Sequence, residues 1–203
     1  MKKPLIDKII ELEWEMFSTV VNVGGRAPCQ MAPSTFEIMR HSQASTWPDE
    51  LQASWLADLT NARRQGRNLM AEKYARMMES TFPEEYAKIA DRLPRIDRKT
   101  RTLIEDIVAT HLEWQEELAE RYPALGGNGR PTRTREDNTD DTSFETYLRG
   151  ELMTYSARSI GMLHAHTQTQ RKCGINTVAV ILLNQVRRYG YTSLAQAEEN
   201  CRG

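Results

Sequence analysis

Cysteine is scarce in this 203-residue chain: there are three, Cys29, Cys173 and Cys201. An odd number at wide spacing argues against a disulfide framework and supplies no C-x-x-C half of a zinc site, so reduced thiols are expected. Long apolar runs are missing too. The longest, Val178 to Leu183, falls far short of the roughly twenty residues a bilayer demands, so no membrane span is expected. There is no excess of either charge, with 27 Lys and Arg against 28 Asp and Glu and a net charge of −1. A nucleic-acid binder draws its sequence-independent affinity from a basic excess, so dedicated DNA or RNA binding is not expected. The start, Met1-Lys2-Lys3-Pro4, leads into a segment broken by Asp7, Lys8 and Glu11 rather than into the apolar core of a secretory leader, and a cytoplasmic location follows as an expectation. Sustained alternation at period two is also absent, and no internal repeat is visible.

Helical spacing of apolar residues fills that space almost everywhere, which makes the class all-α and the organisation one domain of about six to eight helices. A first helix is predicted from about Leu5 to Val23, closed by Gly24-Gly25. Pro33-Ser34-Thr35 opens a short helix to about His41, and Trp47-Pro48-Asp49-Glu50 opens a long one that bends or breaks near Gln65-Gly66 and runs to Ser80. A short helix begins at Pro83, and a longer one spans Arg98 to Arg121. Residues Ala124 to Asp141 lack apolar periodicity and read as a flexible connection or lid. Thr142-Ser143 caps a long helix to about Lys172, followed by Ile175 to Tyr189 and a small helix to Glu199.

Candidate functional residues are those whose polarity contradicts their helix face. On the first helix Leu5, Ile6, Ile9, Ile10, Phe17 and Val20 share one side, and Glu13 lies near its middle although Asp7, Lys8, Glu11 and Glu15 already supply the polar side. A carboxylate there must be paired, be protonated or serve a ligand. His111 projects from the apolar side of the Arg98 to Arg121 helix. After Ser143, Tyr147, Glu151, Tyr155 and Arg158 follow one another at spacings of three and four and so share a helix face. Tyr74 centres a face with Met70, Met77 and Met78, where a core role is the plainer one. Gly24-Gly25-Arg26-Ala27-Pro28-Cys29 offers paired glycines beside a cation and a thiol, a weak anion-site signal without the phosphate-loop lysine or the dinucleotide fingerprint, and Arg40 adds a second cation.

Several segments together, LEWEMFSTVVNVGGRAPCQ, FEIMRHSQAS, GRNLMAEKYARMMEST, SFETYLRGELMTYS and YGYTSLAQAEE, resemble an uncharacterised bacterial family known only as a domain of unknown function. They spread over nearly the whole chain. The resemblance implies a family and no substrate or mechanism.

Three functions stay open. The first, which tips the balance toward an enzyme, is a lyase or isomerase acting on an amino acid or organic acid in an enclosed acid–base site. There Glu13, His111 and Glu151 exchange protons, Arg26, Arg40 or Arg158 holds a substrate carboxylate, Tyr74 and Tyr155 line the substrate, and Cys29 is a candidate nucleophile. The second is a non-haem metal enzyme using Glu13, Glu151 and His111, although no specific motif indicates a metal or cofactor: position 108 is valine where the Glu-x-x-His of ferritin-like bundles needs an acid. The third is a non-enzymatic ligand-binding or protein-interaction module. An anionic small molecule is the expected partner, and a homo-oligomer stays open.

Overall fold

In a computed structural model, residues 4–21, 27–127 and 129–202 are described. Among them are eleven α-helices and no strand: α1 (Leu5–Ser18), α2 (Pro33–Ala44), α3 (Asp49–Arg64), α4 (Leu69–Thr81), α5 (Pro83–Ala87), α6 (Arg98–Arg121), α7 (Pro123–Gly127), α8 (Phe144–Leu152), α9 (Ala157–Lys172), α10 (Thr177–Arg188) and α11 (Leu194–Arg202). None of these helices is long and apolar enough to cross a membrane.

The organising element is α6, whose 24 residues extend about 36 Å. Asp97 caps it by accepting from the Thr100 backbone and hydroxyl at 3.0 and 2.6 Å. Its residues Ile104, Ile107, Val108 and Leu112 join the main core, with Ile9 and Phe17 of α1, Leu51, Trp55 and Leu59 of α3, and Ile160 of α9. Its second half gives Trp114 and Leu118 to a smaller cluster with Val178, Val186 and Leu194. Helices α1 and α3, α6 and α9, and α4 and α8 are neighbours.

The boundaries depart from the sequence expectation where tertiary contacts intervene. Helix α1 stops at Ser18, not near Val23, because side chains from elsewhere take its terminal carbonyls: Asn68 donates to Met16 at 2.7 Å, and Gln30 to Phe17 and Val20 at 3.0 and 2.9 Å. The Gly24-Gly25 cap and Arg26 lie outside the described residues. Near Gly66 the chain breaks outright. Gly66 adopts φ +68°, a left-handed conformation that separates α3 from α4. The single helix expected from Ser143 to Lys172 is two, α8 and α9, because Ser156 caps a new start by accepting from Ser159 N and Asp58 of α3 receives the Ser156 backbone N–H at 3.0 Å. Residues 124–127, expected to be irregular, complete α7, whose first amides bond Glu198 of α11. Asp137 ties the following segment down, accepting from Ser80, from Thr146 at 2.6 Å and from Ser143 N at 2.6 Å.

Helices α4 and α8 approach closely at Gly150. A Cβ there would sit 2.9 Å from Met77 Cγ and 3.1 Å from the Lys73 carbonyl. Gly150→Ala should therefore cost about 1–3 kcal/mol as overpacking. A urea midpoint unchanged from wild type would show that the helices can part freely.

Candidate functional site

Glu13 has no solvent exposure, and the reason it can be buried is Arg40 of α2. Arg40 forks onto it, with Nε to Oε2 at 2.7 Å and Nη2 to Oε1 at 2.6 Å, while Trp55 Nε1 of α3 donates to Oε1 at 2.8 Å. The remaining nitrogen of the same guanidinium, Nη1, reaches Glu151 Oε1 of α8 at 3.0 Å and Gln43 Oε1 at 2.9 Å. Glu151 also accepts from Gln43 and from the Tyr155 hydroxyl, both at 3.1 Å, and from Lys73 Nζ of α4 at 2.6 Å. Two carboxylates and two cations from four helices thus form one chain, Glu13–Arg40–Glu151–Lys73. Its charges balance. Charge-assisted bonds of this length are the strong kind, and burial raises the penalty for losing any of them.

Aromatic rings insulate the chain. Tyr155 stacks on Trp55 with centroids 3.9 Å apart, so the rings bonded to the two carboxylates also support each other. Lys73 Nζ lies 3.4 Å from the centre of the Tyr147 ring, and the Arg130 guanidinium lies 4.6 Å from the same ring. The Tyr74 phenol is held above its ordinary range, first by burial and then by Tyr147 and Cys29. Burial pushes Glu151 up, but Arg40 and Lys73 outweigh it and hold the carboxyl well below the usual carboxylate range. Burial and Glu151 push Tyr155 up, which keeps its hydroxyl a donor.

The structure brings some of the sequence candidates together and separates others. Glu13, Glu151, Arg40 and Tyr155 meet, while the partly buried Tyr74 has its ring 6.3 Å from that of Phe17. His111 does not join them. It is no partner of either carboxylate: its ring packs against Trp114 at 5.1 Å, and burial together with His166 lowers its pKa to about 4. Arg158 is exposed, because the break between α8 and α9 destroys the helical register that was to align it with Glu151. Cys29 is exposed on a 3₁₀ turn, Pro28–Met31, and Arg26 lies outside the described residues. Sequence reasoning missed Lys73, Trp55 and Gln43. Lys73 carried a usable signal, since it falls three residues after Met70 and four before Met77, and the buried strip of α4 runs through Leu69, Met70, Lys73, Arg76 and Met77 and leaves out Tyr74.

Among the described residues no three His, Cys, Asp or Glu side chains come close enough to hold a metal ion. Glu13 and Glu151 are each already occupied by cationic donors, so the donor set suits ion pairing better than coordination of a dication.

The sequence model of a family described as a protein of unknown function (DUF4125) matches residues 3–199. The chain belongs to that family. No curated protein and no solved structure matches it. Membership therefore adds no substrate or mechanism, and the chemistry of this DUF4125 chain rests on the buried network itself.

Proposed function

We propose that this protein is a small-molecule enzyme that receives an anionic substrate, an amino acid or organic acid, at the Lys73 end of the buried network. The observation that carries this reading is the state of Lys73. Its ammonium is 2% exposed and has three N–H donors, yet among the described residues it has one hydrogen-bond acceptor, Glu151 Oε2 at 2.6 Å, and otherwise faces the Tyr147 ring. A substrate carboxylate arriving beside Tyr147 would find spare donors there, with Arg130 as a second cation. Glu13, Arg40 and Glu151 then act as positioning residues. Each is saturated by the others, and Glu151 is held so firmly ionised that it is a poor proton carrier near neutral pH. In this reading Lys73, set over the Tyr147 ring, takes the place of the acid–base trio of Glu13, His111 and Glu151.

The same saturation favours a second reading, a binding module without turnover, because a balanced network performs no chemistry unaided. Both readings expect binding at Lys73. Titration calorimetry with succinate, citrate and the common amino acids should find at least one that binds, and Arg130→Ala should weaken that ligand about tenfold, the worth of one charge-assisted contact. Lys73→Met should abolish the binding while circular dichroism stays helical. Undiminished affinity in both variants would remove Lys73 from the site, and turnover of the bound compound separates enzyme from module.

A further inference from the structure

One turn further along α4, Arg76 presents a different situation. It is 7% exposed, yet among the described residues no carboxylate lies within ion-pairing distance of it, whereas the buried Arg40 and the half-buried Arg149 are each paired with two glutamates. Among the described residues its one good acceptor is the Pro94 carbonyl, at 2.6 Å from Nη2. Nη1 meets the Met153 thioether at 3.9 Å, a weak acceptor, and Nε meets nothing. Glu72, one turn back on α4, is engaged by Arg67 Nε and Nη2 at 2.8 and 2.7 Å. An isolated buried cation costs several kcal/mol, so an uncompensated one calls for a ligand or a partner.

The guanidinium borders a cavity of about 270 Å³ between α4, α6 and α8. Three arginines, Arg76, Arg101 and Arg149, line it against two glutamates, Glu79 and Glu105. Glu105 is already bonded to Arg149 at 3.0 Å, and Arg101 has no ion pair among the described residues. Arg149 is itself paired with Glu105 and with Glu145, the latter at 2.8 Å, so among the described residues Arg76 and Arg101 are the two arginines of this cavity left without an ion pair, and the space suits a small polar molecule rather than a nucleotide or a lipid chain.

We propose that this cavity is an anion-binding site, separate from the Lys73 end of the network, in which Arg76 is the buried anchor and Arg101 the outer cation for the carboxylate or phosphate group of a small polar ligand. Occupation would supply the missing counter-charge to Arg76 and donors to both ligand oxygens, the geometry in which arginine exceeds a point charge. Burial disfavours the charged form of Arg76, which is the direction expected of a site awaiting an anion.

Thermal denaturation of the full chain tests this with inorganic phosphate and succinate as probes, each against sodium chloride at matched ionic strength. At least one should raise the Tm in a saturable way beyond chloride. A response to phosphate alone would identify a phosphorylated ligand, and one to succinate alone an organic acid. Arg76→Leu should abolish the response and, by removing an uncompensated buried charge, leave the unliganded protein as stable as wild type or more so. Should that variant fail to fold, Arg101→Ala, altered at an exposed residue, still has to raise the apparent Kd of the probe about tenfold. The proposal is overturned if neither probe exceeds chloride, if Arg76→Leu keeps the response, or if Arg101→Ala binds as tightly as wild type.

Discussion

Arg40→Ala should lose about 3–5 kcal/mol of unfolding free energy, the largest effect expected of any single substitution in the chain. The loss comes less from the bonds removed than from the charges left behind. Glu13, without solvent contact, would retain only Trp55 Nε1, and Glu151 would keep Lys73, Gln43 and Tyr155 but forfeit its link to α2. Arg40→Lys should rescue little. One ammonium cannot fork onto Glu13 at 2.6 and 2.7 Å and also reach Glu151 at 3.0 Å, which takes three nitrogens of one rigid plane. Replacing the pair together, Glu13→Leu with Arg40→Met, should recover much of the loss, because hydrophobic substitutes for a buried ion pair are often neutral or better. The orphaned Trp55 N–H would then cost about 1–3 kcal/mol. Urea denaturation at constant slope reads all three variants. A loss below about 1 kcal/mol for Arg40→Ala would mean that water reaches the carboxylates and that the network is not dry.

How much of this was legible in the sequence depended on whether the deciding contact was local. Glu13 stood out because α1 already had a full polar side, so an acid on the apolar face needed a partner. Helix α6 was legible at both ends, since Asp97 caps it and Tyr122-Pro123 closes it without help from the rest of the molecule. The break at Met153 to Ser156 was not. It depends on Asp58 of α3 accepting from Ser156 N and, at 2.6 Å, from the Ser159 hydroxyl, and nothing in the local sequence announces a partner about a hundred residues away. Glu151 and Tyr155 were paired by helical spacing, and they do meet, but Tyr155 lies past the helix end and reaches back, while Arg158 on the far side of the break faces solvent. Lys73 was hidden by its type. Lysine is so seldom buried that its residue type argues against the signal carried by its spacing from Met70 and Met77. His111 shows the reverse error: three polar residues on apolar faces suggested one site, and the structure puts two in one network and the third against Trp114.

That displaced histidine governs the other large expected effect, a loss of stability on mild acidification. The folded-state pKa of His111 is lowered to about 4 by burial, with His166 as a second cause, whereas the unfolded chain titrates near 6.5. Between those values the unfolded state binds more protons than the folded one, so stability rises with pH across the interval. The contribution is fully present above about pH 6.5 and is lost as pH falls through 4, up to about 3 kcal/mol for this one group. His166 is displaced in the same direction by its own burial and should add to the slope. Glu151 acts in the same sense but later: a carboxyl held below its ordinary value keeps its full stabilisation above about pH 4.5 and loses it only in stronger acid. Two successive declines are therefore expected, the upper owed to the histidines and the lower to the network. His111→Leu should flatten the upper one and leave the lower, because it removes the titrating ring while keeping apolar contact with Trp114. Proton NMR of the His111 ring gives the direct check. A midpoint near 6.5 would show an imidazole in contact with water, and acid sensitivity between pH 4 and 6.5 would then have to come from another group.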